Sequence, residues 1–138
     1  MINILSMIIR GLGANPNFLA LKDFFRSSKS KILLIQETMH GCQETISYFR
    51  RMFPTWHMAA TGVAGLSGGL VVLWDPAWIS AMAFKCFAGI LLLDYIRGSP
   101  RPFHILNVYA PYKERRIKNA FPSGITFCPL RSWIWILC

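Results

Sequence analysis

Acidic side chains are scarce in this sequence. Of 138 residues, 6 are Asp or Glu against 15 Lys or Arg, a formal net charge of +9 at pH 7. Each acid therefore calls for an explanation. Cysteine is also sparse: no two of Cys42, Cys86, Cys128 and Cys138 have metal-ligand spacing, so they read as free buried thiols in a reducing compartment. No apolar stretch reaches the ~18 residues that a membrane-spanning helix needs. The longest, from Trp78 to Leu93, is interrupted by Lys85 and Gly89. The apolar N-terminus lacks the basic region and small-residue cleavage site of a secretory signal, and the expectation is an intracellular, soluble chain with no membrane partner. Charged residues make up only 15% and hydrophobic ones 54%, which excludes a disordered chain. The positive balance favours polyanionic partners such as nucleic acid or anionic lipid, or else reflects a merely solvated basic surface.

What is present is a succession of short apolar runs. Residues 2–9 are apolar and β-branched and read as a buried strand. "RGLGANPN" is a turn. Phe18, Leu21, Phe24 and Phe25 have helical spacing, with Asn15 as N-cap and Pro16 in the first turn, so a helix is expected over 16–28. Strands follow at 32–36, 56–61, 70–74, 79–87, 90–96 and 103–109, with a second helix at 42–53 closed by Pro54. The order β-α-β-α-β followed by strands predicts a mixed α/β domain over 1–118, with one sheet carrying both helices on a single face. Residues 119–138 contain no acid and little periodicity. They are either a terminal strand or a read-through tail.

The run Ile32-Leu33-Leu34-Ile35 ends on Gln36, Glu37 and Thr38. Ligands in open α/β sheets gather at the carboxyl ends of strands. Glu37 occupies such an end, as do Asn107 and Tyr109 after the strand that begins at Phe103. A carboxylate there can hold Mg²⁺, which prefers oxygen ligands and often takes one or two protein carboxylates plus phosphate oxygens. Alternatively, Glu37 caps the strand or pairs with a surface arginine. His104, by alternation, lies on the face of Leu106 as a core or half-buried side chain. Nothing marks His40 or His57 as a site. Asp75 and Asp94 are expected at the surface.

Four segments stand in order: "MINILSMIIRGLG", "ILLIQETM", "GLSGGLVVLWDP" and "FHILNVYAPY". Together they resemble the N-terminal half of the endonuclease/exonuclease/phosphatase family, and within it the endonuclease domains of plant LINE-type, non-LTR retrotransposons. The resemblance covers about residues 1–118. It implies a four-layer, DNase I-like α/β sandwich, here with its second half missing, and Mg²⁺-dependent hydrolysis of DNA phosphodiesters. It also implies roles: Glu37 as the metal-binding glutamate, Tyr109 near the scissile phosphate, Asn107 in the same motif, and Ser67, Gly68 and Gly69 as a loop entering a core strand. Two departures accompany it. Ile8 stands where the family has an asparagine beside the metal, and an isoleucine side chain neither coordinates a cation nor donates a hydrogen bond. The family's downstream Gly-Asp-x-Asn segment and late Asp-His pair have no counterpart, since no Asp follows Asp94 and no His follows His104. The expectation is thus a truncated, catalytically inactive relic of an endonuclease, or else a non-catalytic basic module that holds nucleic acid electrostatically. A half-domain of this kind would leave the sheet face opposite the helices bare and would self-associate through it.

Overall fold

A computed structural model describes residues 3–12, 18–63, 68–86, 89–108, 127–131 and 134–137. The elements run β1 (Ile4–Ile8), α1 (Phe18–Ser27), β2 (Ile32–Gln36), α2 (Cys42–Met52), β3 (His57–Thr61), β4 (Leu70–Trp74), β5 (Ile79–Cys86), β6 (Gly89–Ile96), β7 (Pro102–Val108), β8 (Phe127–Arg131) and β9 (Ile134–Leu137). The chain is mixed α/β, as its order of elements predicts. Asn15 and Pro16, the expected start of the first helix, lie outside the described residues.

Helix α1 buries Leu21 and Phe25 and leaves Phe24 half exposed, so the inward stripe is narrower than the sequence suggests. It stops where Lys29 takes a left-handed φ of 52° and Ser28 Oγ turns back to donate to the Phe25 carbonyl. Helix α2 buries Thr45, Phe49 and Met52 before Pro54 ends it. Both helices pack on one face of a sheet ordered β1-β2-β4-β3, against Leu33, Ile35, Ala60, Val71 and Leu73. The aromatic rings of Phe25, Phe49, Phe53 and Trp56 bind this layer together, with Phe53 and Trp56 centroids 4.5 Å apart.

The expectation of a single sheet does not hold. Strands β5 to β9 form a second, antiparallel sheet, ordered β5-β6-β7-β9-β8. The cause is the turn at Asp75-Pro76. The backbone N–H groups of Trp78 and Ile79 both donate to the Asp75 carbonyl, and the chain reverses onto the free face of the first sheet instead of extending its edge. Ile79, Ile90, Leu92 and Ile105 then pack against Ile32, Leu34, Leu70, Val72 and Trp74. The face opposite the helices is therefore covered, contrary to the expected bare face. This explains why "ILLI" and "LVVLW" are continuous apolar runs: every residue of β2 and β4 is buried, odd positions under the helices and even ones under the second sheet. The segment 119–138 supplies β8 and β9, with β9 pairing antiparallel to β7 from His104↔Leu137 to Asn107↔Ile134.

Candidate functional site

The carboxyl end of β2 is a knot of three loops. The N–H groups of Gly11 and Leu12 donate to the carbonyls of Glu37 and Thr38 at 2.7 and 3.2 Å, and the N–H groups of Thr38 and Met39 donate to the carbonyls of Gly69 and Gly68. The path is contorted: Arg10, Glu37 and Met39 all have positive φ, between 52° and 58°, a conformation that costs a non-glycine residue about 1–2 kcal/mol. Gly69, at φ 90°, passes so close that a Cβ there would press on Thr38 Oγ1 and lie 3.3 Å from the Thr61 carbonyl oxygen. Gly69 is thus needed for close backbone approach, while at Gly68 a Cβ would meet the movable Met39 Sδ at 2.9 Å and Glu37 Cα at 3.3 Å. Ser67 lies outside the described residues.

Beneath this knot is a buried polar cluster. Gln36 Nε2 lies 2.8 Å from Asn107 Oδ1, 3.1 Å from Ser6 Oγ and 3.2 Å from the Leu34 carbonyl oxygen. Asn107 Nδ2 donates to the carbonyls of Ile35 at 3.3 Å and Val71 at 3.2 Å. Asn107 comes from the second sheet and its three partners from the first, so this one amide ties the two sheets together in a wholly buried setting. An asparagine offers two donors and one carbonyl acceptor; here each has a partner in the protein.

The structure brings Glu37, Asn107 and Ile8 to the same end of the first sheet, Ile8 being the register partner of Gln36. Tyr109 lies outside the described residues. The Glu37 carboxylate is half-buried and has no hydrogen-bond or ion-pair partner among the described residues. Beside it, His40 Nδ1 donates to the Thr38 carbonyl at 3.0 Å, and its Nε2 is 3.9 Å from Glu44 Oε2 in the first turn of α2. This His-Glu pair is not among the residues that the sequence marks as a site, although its i,i+4 spacing across a helix start is legible there. Among the described residues no three His, Cys, Asp or Glu side chains cluster closely enough to hold a metal ion. Of the residues that the resemblance points to here, Glu37 supplies one carboxylate, the Asn107 amide is engaged, and Ile8 is apolar.

Asp94 corrects a second expectation. It is not at the surface but fully buried on the inner face of β6, in phase with Ile90 and Leu92, and neither carboxylate oxygen has a partner among the described residues. Its cross-strand neighbours are Ala81 and Phe103. Burial alone pushes its pKa from 3.8 up to about 8. Asp75 is half-buried; it accepts from the Ala77 N–H and lies 3.9 Å from Lys31 Nζ. His104 is half-buried on the outer face of the second sheet, as alternation predicts. No family model and no curated protein matches the chain. Among the described residues, no helix is long and apolar enough to cross a membrane.

Proposed function

We propose that these 138 residues are the remnant of a Mg²⁺-dependent DNA endonuclease of the endonuclease/exonuclease/phosphatase type, without catalytic activity of their own. Two sheets packed face to face with helices outside the first are what the central layers of a four-layer sandwich would look like, and the ordered motifs place Glu37 at the expected strand end. The observation that carries the inactive reading is the engagement of Asn107. Its amide is held by Gln36, Ile35 and Val71 and has no donor left for a phosphate oxygen. Hydrolysis of a phosphodiester needs a base for the attacking water and groups that stabilise charge on phosphorus, and general acid–base help alone is typically worth ~10²–10⁴ in rate. Residues 105–138 contain neither Asp nor His, and Ile8 contributes nothing polar.

A second reading, a basic module that holds nucleic acid through its phosphates, is favoured by the charge of +9. One experiment treats both. Supercoiled plasmid is incubated with the purified chain and Mg²⁺ or Mn²⁺, and binding is followed in parallel across a salt series. The expected outcome is intact plasmid. Metal-dependent nicking that disappears in Glu37→Gln would overturn the inactive reading. Binding without nicking, falling steeply as salt rises, would support the second reading.

A further inference from the structure

We propose that a cavity at the end of the first sheet remote from Glu37 binds a planar aromatic ring bearing a phosphate, the chemistry of a nucleotide or of a nucleotide at the end of a single strand. The cavity, of about 270 Å³, opens beside Lys31, at the start of β2, between the last turns of α1 and α2. It shares no residue with the Glu37 end and stands independently of the endonuclease reading.

One wall of the cavity is aromatic: Trp56 is half-buried, its ring centroid 4.5 Å from that of Phe53, while Phe25 and Phe53 lie buried beneath with almost no ring surface open. Its rim is cationic: Arg26, Lys29 and Lys31 line it against a single acid, Asp75, which lies 3.9 Å from Lys31 Nζ. Among the described residues Arg26 and Lys29 have no ion-pair partner. The helix ends here contribute negative charge, but only about half a unit each, so three full cations against one carboxylate keep the mouth positive. A positive rim excludes a metal ion as ligand. A bare inorganic anion would leave the Trp56 ring uncovered. A flat ring against Trp56 with its phosphate between Arg26 and Lys29 uses both features, as proteins that hold single strands combine aromatic platforms with a basic track. The volume lies just under the ~300–1,000 Å³ of sites for larger small molecules, which suits one ring system and its phosphate.

Lys29 makes the test clean. At φ 52° it occupies a conformation in which glycine is unstrained, so Lys29→Gly removes the ammonium while easing the backbone. The full chain is titrated calorimetrically with adenosine 5′-monophosphate, adenosine, inorganic phosphate and a short 5′-phosphorylated single-stranded oligonucleotide. Saturable binding of the monophosphate or the oligonucleotide is expected, with adenosine and phosphate each much weaker. Lys29→Gly should weaken binding several-fold. Trp56→Ala should weaken it roughly tenfold, within the span of ~1–3 kcal/mol for one stacked base, with a thermal melt verifying that the variant is folded. Binding of the monophosphate identifies a free nucleotide; an oligonucleotide bound at least tenfold tighter identifies a strand end. Three results would overturn the proposal: neither ligand binds, phosphate alone binds as tightly as the monophosphate, or Lys29→Gly leaves the affinity unchanged.

Discussion

Asp94→Asn should stabilise this protein at neutral pH and leave it nearly unchanged in acid. The carboxyl group lies between the sheets with no partner among the described residues, and burial raises its pKa from 3.8 to about 8. At pH 7 the folded protein therefore keeps the proton, while the unfolded chain releases it. The unfolded state binds fewer protons, so stability falls as pH rises, from about pH 4 until the folded-state group itself ionises near 8. Each pH unit in that window costs about 1.4 kcal/mol. Some three units separate 3.8 from neutrality, which puts the loss at pH 7 at about 4 kcal/mol, a large share of the ~5–15 kcal/mol that holds a domain together. Asparagine has nearly the same shape and, like the protonated acid, buries an unpartnered polar group; it cannot ionise. Urea unfolding of both proteins at pH 4.5, 6 and 7.5 should give curves that nearly coincide at the lowest pH and diverge to several kcal/mol at the highest. Parallel pH profiles, or a variant less stable at pH 7.5, would refute the placement of Asp94 in an apolar, unpaired setting.

Two further outcomes follow from the same interior. Asn107→Leu leaves Gln36 and the carbonyls of Ile35 and Val71 without their bridging partner; a loss of roughly 2–4 kcal/mol is expected, read as a lower urea midpoint, and a loss below 1 kcal/mol would show that the amide does not tie the sheets. Gly69→Ala should cost at least ~2 kcal/mol, because φ 90° strains any side chain and its Cβ meets Thr38 Oγ1 and the Thr61 carbonyl. Thermal melts of the variant beside Gly68→Ala and wild type check this, and an unchanged melting temperature at Gly69→Ala would count against the close approach.

Much of the local structure is legible in the sequence, because periodicity and punctuation act locally. Strands β2 and β4 coincide with the apolar runs at 32–36 and 70–74, and α2 with the segment ending before Pro54. The assignment of strands to sheets is not legible in the same way. "ILLL" within β6 is as apolar as "ILLI" within β2, and an apolar run states that a strand is covered on both faces without stating by what. The distinction lies in the Asp75 turn, three hydrogen-bonded residues that redirect the chain by one layer. Asp94 shows a different kind of failure. Its parity with Ile90 and Leu92 was readable, and alternation predicts an inward carboxylate. Its charge argued for the surface, and the register of a strand paired on both sides decided the matter, since turning Asp94 outward would turn Ile90 and Leu92 outward with it.

The candidate site is legible in position and illegible in use. Placing Glu37 and Asn107 at strand ends followed from the runs that precede them, and both stand at one end of the first sheet. Residue type alone cannot say which of an amide's hydrogen bonds are already made. Asn107 could have faced outward with free donors; instead the register Leu91↔Leu106 and Ile90↔Asn107 in the second sheet turns it inward, onto Gln36. Burial then enforces the rest, because an unpaired amide between two sheets costs about 1–3 kcal/mol per lost bond, so the carbonyls of β2 and β4 that it reaches become obligatory partners. A group under that obligation cannot also turn to a phosphate without loosening the sheets. Asn107 therefore acts in the fold as a tie between sheets. The engagement of Asn107 is in this way a property of the fold, fixed by register and burial, that residue type alone does not carry.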